Sequence, residues 1–392
     1  MVLLDICICT IIFLVGVNLK NFFSGFSNIE KRWLTGLFFF HFFIAVVFHF
    51  YIATNGGDAI KYWMLPKNGT FDDVWFLVVN QRASSFIYFF NYFPSNVLDL
   101  SMFTGNMLYA LVGYTAFIYW FKIFKSLFPN GVILNGLTLF RVPLFPLLLF
   151  LPNLHFWSSG IGKDAILFFC ISIFLYALLD IKKRLGLMGV SILLSLLIRP
   201  HITLFLLLAF SLGYLIDGRL KVYQKIAVFL VLAIGFASIF NYVVQFIQLE
   251  SLEVSSVEEF ASTRVSNLSE QRTESGVDIS AYPFPLKVFT FLYRPLFFDI
   301  IGVFAILSSF ENVILLLFTV TVLVNKPIIA FRKGSYILKG AIIFFIMGSV
   351  SFSLILGNLG IMLRQKNMFI PGFLLFGIWV LYYRKLHKLQ SV

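Results

Sequence analysis

The stretch LPNLHFWSSGIGKDAILFFCISIFLYALL, residues 151–179, places Lys163 and Asp164 beside two glycines inside an otherwise apolar run. The rest of the chain shows how unusual that is. Of 392 residues, 60% are hydrophobic and 12% charged, and phenylalanine alone occurs 51 times. The mean hydropathy is +0.93. That balance excludes a soluble globular chain and fits an integral membrane protein. The N-terminal run VLLDICICTIIFLVGVN has no basic start and no small-residue cleavage pattern, so it reads as a retained first helix. Cys7, Cys9 and Cys170 all lie in apolar runs, and the first two turn to different sides of a helix. Disulfide and metal readings are therefore poor.

A span needs about 20 mainly apolar residues. The sequence predicts an all-α polytopic membrane protein with about 11 transmembrane helices. They fall near 2–18, 33–54, 102–121, 134–152, 164–180, 185–199, 201–216, 226–245, 296–324, 337–356 and 368–383. Lys and Arg collect in alternate connections: 20–32, 122–125, 182–184, 219–225, 326–339 and 384–388 hold more than half of the 30. Cytoplasmic loops carry such an excess, so the N-terminus is expected outside and the C-terminus in the cytoplasm. The net charge of +12 is then mainly a topology signal, and no soluble basic face points to nucleic acid. The expected organisation is a single membrane domain, 1–392, with outer loops 55–101 and 246–295 covering the site. The polar part of the second loop, 246–280, reads as a solvated loop or a lid.

The run SSGIGKD fails as a phosphate-binding loop, because Trp157 and Asp164 stand where Gly and Ser or Thr are needed. It reads instead as a bent helix start, with Asp164 in the first turn where the macrodipole favours an anion. Other ions repeat the pattern at outer helix ends: Arg199 before Pro200 and His201, Arg294 before Pro295 with Asp299 nearby, Arg364 and Lys366 after two glycines, and Arg82, Asp58 and Lys61 in the first outer loop. An Arg at the bilayer centre costs about 2.5–3.5 kcal/mol on insertion scales, and such ions face a cavity or each other. A bound polyanion would offset the repulsion of clustered cations. The alternative is that Arg199, Arg294 and Arg364 pair structurally with Asp or Glu. Arg141 falls inside the predicted fourth helix, with Glu311 as a candidate partner. His41 and His49 read as polar packing groups rather than metal ligands.

Together, NGGDAIKYW, PNLHFWSSGIGKDAILFF, IRPHI, LYRPLFFD and GNLGIMLRQKNMFIPG, in that order within a many-helix frame, resemble the Wzy and EpsG-type polymerases of bacterial surface polysaccharides. The resemblance implies a glycosyltransferase-C-like fold in the bacterial cytoplasmic (inner) membrane. It also implies a periplasm-facing site and metal-independent transfer with no cofactor. The partners would be a polyprenyl-diphosphate-linked oligosaccharide donor and acceptor and membrane lipids, with a chain-length regulator as an optional further one and no nucleic acid. In that frame Asp58, His201 and Asp164 are the candidate bases, and Lys163, Arg199, Arg294, Arg364, Lys366 and Arg82 the candidate diphosphate-binding cations. An O-antigen-type ligase and a lipid-linked oligosaccharide flippase remain as alternatives. A flippase should show repeated halves and broken helices.

Overall fold

The computed structural model describes residues 2–80, 84–217, 221–223, 225–226, 229–230, 276–279, 281–299 and 302–390. Its helices, in chain order, are α1 (Val2–Leu19), α2 (Asn28–Asn55), α3 (Asp58–Asn68), α4 (Phe71–Val79), α5 (Ser85–Tyr92), α6 (Met102–Leu127), α7 (Gly131–Asn135), α8 (Pro152–Ser158), α9 (Lys163–Leu178), α10 (Ile181–Ile198), α11 (Pro200–Ile216), α12 (Phe284–Tyr293), α13 (Val303–Val324), α14 (Pro327–Lys333), α15 (Tyr336–Ile355), α16 (Leu359–Lys366) and α17 (Ile370–Gln390). Strands β1 (Thr138–Leu139) and β2 (Val142–Pro143) form a small hairpin. This is an all-α polytopic membrane protein. Among the described residues five helices are long and apolar enough to cross a bilayer, or up to seven if two bent pairs, α8–α9 and α16–α17, each count as one. Most of the predicted helix 226–245 and of the segment 246–280, and Arg82, lie outside the described residues.

Within the stretch read as one domain the chain forms two compact units, Met1–Leu127 with Leu149–Arg199 and Phe128–Leu148 with Pro200–Val392. In the first, α2 begins earlier than hydropathy alone indicates because Ser27 and Glu30 form a capping box. α2 runs antiparallel to α6: Leu34 O accepts from Tyr114 Oη at 3.0 Å at one end, and His49 meets Asn106 at 3.0 Å at the other. α9 and α10 are an antiparallel pair, joined midway by Ser191 Oγ donating to Cys170 O at 2.7 Å. The basic connections of this unit gather at one end. There Lys122 lies over Phe23, Phe26 and Tyr176, Arg184 covers the Tyr176 ring, and Lys125 pairs with Glu30 at 2.6 Å.

The predicted helix 134–152 does not form. Pro143 and Pro146 remove backbone donors, and the chain instead makes the β-hairpin and a 3-10 turn at Leu147–Phe150. Arg141 is therefore not a helix-interior residue: it sits exposed at the hairpin tip, where it and Phe140 both have positive φ, 69° and 49°. Such a pair matches the twist of a two-residue hairpin loop. The expected pass along the bundle is made by 149–161 instead. Phe150 packs on Trp33, His155 on His41, and Phe156 on Phe48, so this segment climbs α2 from its basic end to the opposite end.

At that opposite end, α1 is fixed to α6 by a carboxylate. Asp5 Oδ1 accepts from Ser101 N at 2.9 Å and Ser101 Oγ at 2.8 Å, and from Thr104 Oγ1. The rest of α1 is largely exposed. Removing these charge-assisted bonds with Asp5→Ala is expected to cost about 1–3 kcal/mol. In a Cys7→Ser background, maleimide labelling of Cys9, whose Sγ lies 3.4 Å from Thr104 Oγ1, should then become faster. An unchanged rate would show that α1 is held by lipid-like packing alone.

In the second unit α11 and α15 are antiparallel and very close. A Cβ on Gly213 would stand 2.6 Å from Gly340 N and Tyr336 O, the small-residue contact that lets helices pack without a hydrophobic drive between them. Asp217 accepts from Tyr336 N at 3.2 Å at one end, and His201 faces Phe352 at the other, ring centroids 6.1 Å apart. α17 runs antiparallel to α15 through Phe345–Phe373 stacking. The helix predicted from 296 starts at 303, because a turn closed by Arg294 and Asp299 occupies 294–299.

Candidate functional site

In the first unit the ions of the 151–179 stretch sit at a break in the helix. α8 and α9 meet at 109°, and the connection between them is buried, with Ser159 fully enclosed. Irregular backbone at membrane depth needs protein partners, and they are present. Asn106 Oδ1 accepts from Ile161 N at 2.9 Å, Ser158 Oγ donates to Leu154 O at 2.7 Å, and the hydroxyl of Ser159 donates to Phe156 O at 3.2 Å. The small residues matter here. A Cβ on Gly160 would lie 1.9 Å from the Phe48 ring, and one on Gly113 of α6 would lie 2.0 Å from Ser158 O.

The break aims α9 so that Asp164, one residue into the helix, meets Arg199 at the C-terminal end of α10, with Nη2 to Oδ1 at 3.3 Å. Both are buried, at 6% and 8% exposure. Arg199 leaves the helical conformation, φ −149° and ψ 85°, as a residue before proline tends to. Lys163 beside the pair is half-buried. Asp58 opens α3 at the same end of the unit and is exposed. Its helix is seated there by Trp63, which with Ile161 fills the space above Gly105.

In the second unit Arg294 follows α12 and grips Asp299 with two donors, Nε to Oδ2 at 2.9 Å and Nη2 to Oδ1, while Nη1 reaches Tyr282 Oη at 3.4 Å. Burial raises the Asp299 carboxyl, but the bonds from Arg294 and from Leu296 N outweigh it and hold the group below the usual carboxylate range. The same bonds hold the Arg294 guanidinium above its ordinary value. Lys366, at 0% exposure, donates to Leu292 O at 3.0 Å and to Asn312 Oδ1. It also feels the charge of Glu311. Glu311 is buried in α13, whereas Arg141 is exposed at the hairpin tip. Arg364 is half-buried on α16, and His201 is half-buried in the first turn of α11.

Each unit therefore brings its candidates to the end away from its basic connections: Asp58, Lys163, Asp164 and Arg199 in the first, and His201, Arg294, Arg364 and Lys366 in the second. Arg199 and Arg294 are paired with carboxylates, which is the structural alternative. Sequence reading missed His155, whose Nδ1 lies 2.9 Å from His41 Nδ1 in the core. His155 Nε2 donates to Leu149 O at 2.7 Å, so in the neutral ring its Nδ1 accepts from His41. Nothing in the spacing of 41 and 155 signals that meeting. Among the described residues no third His, Cys, Asp or Glu joins them. Comparison with family models, curated proteins and solved structures finds no match to this chain.

Proposed function

We propose that the chain is a membrane glycosyltransferase that polymerises lipid-diphosphate-linked oligosaccharide repeat units at the outer face of the bacterial cytoplasmic membrane. The observation that carries the reading is the buried Asp164–Arg199 pair at a helix break of a membrane protein, because ions inside an apolar bundle mark substrate sites by default. The five stretches that resemble Wzy and EpsG-type polymerases support it. In this reaction a sugar hydroxyl of the acceptor attacks the anomeric carbon of the donor. The bond from that carbon to the diphosphate oxygen breaks, polyprenyl diphosphate leaves, and the hydroxyl proton passes to a base, with Asp58, His201 and Asp164 as candidates. Fixed cations stabilise the departing charge; losing one such donor costs about 2.7–4 kcal/mol. The candidate cations for that role are Lys163 and Arg199 in the first unit, and Arg294 and Arg364 in the second.

Purified protein supplied only with lipid-linked repeat units, in chelator and without nucleotide sugar, is expected to make a ladder of longer glycans and to release polyprenyl diphosphate. A second reading has an observation of its own. Among the described residues each unit contains one broken helix pair, 109° at α8–α9 and 58° at α16–α17, and discontinuous helices are a feature of transporters. Movement of intact lipid-linked units across proteoliposome membranes with no ladder would replace the polymerase with a flippase.

A further inference from the structure

We propose that the groove between α3 and α4 binds a bilayer phospholipid whose headgroup carries both a phosphate and a primary ammonium. The groove, about 670 Å³, is lined by Lys61, Met64, Leu65 and Asn68 of α3, by Gly69, and by Asp73, Phe76 and Leu77 of α4. Its walls are apolar and its two ions have opposite sign. Lys61, Met64 or Leu65, and Asn68 follow a spacing of three and four, so one face of α3 forms one wall.

Three observations favour that occupant. Lys61 is exposed and, among the described residues, has no ion-pair or hydrogen-bond partner, so it offers a full charge to a phosphate. Asp73 is an anion held in place. Its Oδ2 accepts from Thr70 N at 2.9 Å and Thr70 Oγ1 at 2.7 Å, bonds that keep its carboxyl below the usual range. The other oxygen, Oδ1, has no hydrogen-bond partner among the described residues and is the acceptor the proposal gives to an ammonium. A quaternary headgroup has no N–H to give and a purely anionic one would meet Asp73 with repulsion, so the pair selects phosphate plus ammonium. The third observation is the setting. Phe71 and Trp75 stack at 6.2 Å with 10° between planes, and Trp75 and Phe76 are 48% and 63% exposed. Exposed tryptophan on a membrane protein is enriched at the level of the headgroups. The proposal needs a membrane protein only, and stands or falls separately from the polymerase reading.

The test uses the full chain in nanodiscs of a neutral phosphocholine lipid, with spin-labelled phosphoethanolamine, phosphoglycerol, phosphocholine and polyprenyl phosphate lipids as competing probes. The expected result is a motionally restricted phosphoethanolamine population of about one per protein. It should weaken about tenfold in Lys61→Ala and in Asp73→Asn, a loss equal to one charge-assisted contact, and be retained in Lys61→Arg. Asparagine keeps an acceptor for Thr70, so the cap and the fold should persist, as circular dichroism would confirm. Equal retention of all headgroups, preference for phosphoglycerol or polyprenyl phosphate, or indifference to both variants would overturn the proposal.

Discussion

Arg199→Ala is expected to destabilise the first unit by about 3–5 kcal/mol, because it removes the cation that balances a buried carboxylate. Asp164 and Arg199 are each less than a tenth exposed, and their 3.3 Å contact ties the start of α9 to the end of α10. In detergent the variant should lose near-ultraviolet dichroism at a markedly lower temperature and accumulate poorly in membranes. The double variant Asp164→Leu, Arg199→Met separates charge balance from catalysis. Replacing both partners by apolar residues of similar size is often neutral or stabilising, so thermal stability should recover. Polymer formation should not recover, since the proposed reaction needs the ions themselves. Parent-like stability of Arg199→Ala would show that Asp164 does not depend on this arginine.

Asp58→Asn should leave the fold intact and slow the glycan ladder by about 10²–10⁴, the usual worth of a positioned general base. Asp58 is the first residue of α3 and exposed, so amide for carboxylate costs only a fraction of a kcal/mol at the helix N-terminus. The packing that seats α3, Trp63 against Gly105, lies more than a turn away. The initial rate of ladder formation is the measurement. A rate within twofold of the parent would move the base to His201 or Asp164, and the same substitution in those positions would then decide between them.

The apolar helices and the basic connections between them were legible because they rest on two bulk properties, runs of apolar residues and the placement of Lys and Arg. α1, α2, α6, α9, α15 and α17 lie close to where those runs put them, and within each unit the basic connections meet at one end. The failure at 134–152 is also local in origin. Hydropathy counts Pro143 and Pro146 as apolar, whereas the backbone registers them as missing donors, so an apolar run became a hairpin, a 3-10 turn and the short α8.

The residues at 158–164 were recognisable from sequence as a bend with an acid at a helix start, since small side chains and the macrodipole act within one turn. Their partners were not. Asp164 meets Arg199 thirty-five positions away, His155 meets His41 across 114, and Lys366 rests on Leu292 and Asn312. In a chain whose helices are greasy on every side, no amphipathic stripe says which face turns to which neighbour. By itself the sequence determined a multi-helix membrane protein, its basic connections and its candidate ions. Only the tertiary structure decided that Arg199 holds Asp164, because that depends on helix rotation and depth, which are set by close contacts such as Phe48 on Gly160 and Ser158 on Gly113.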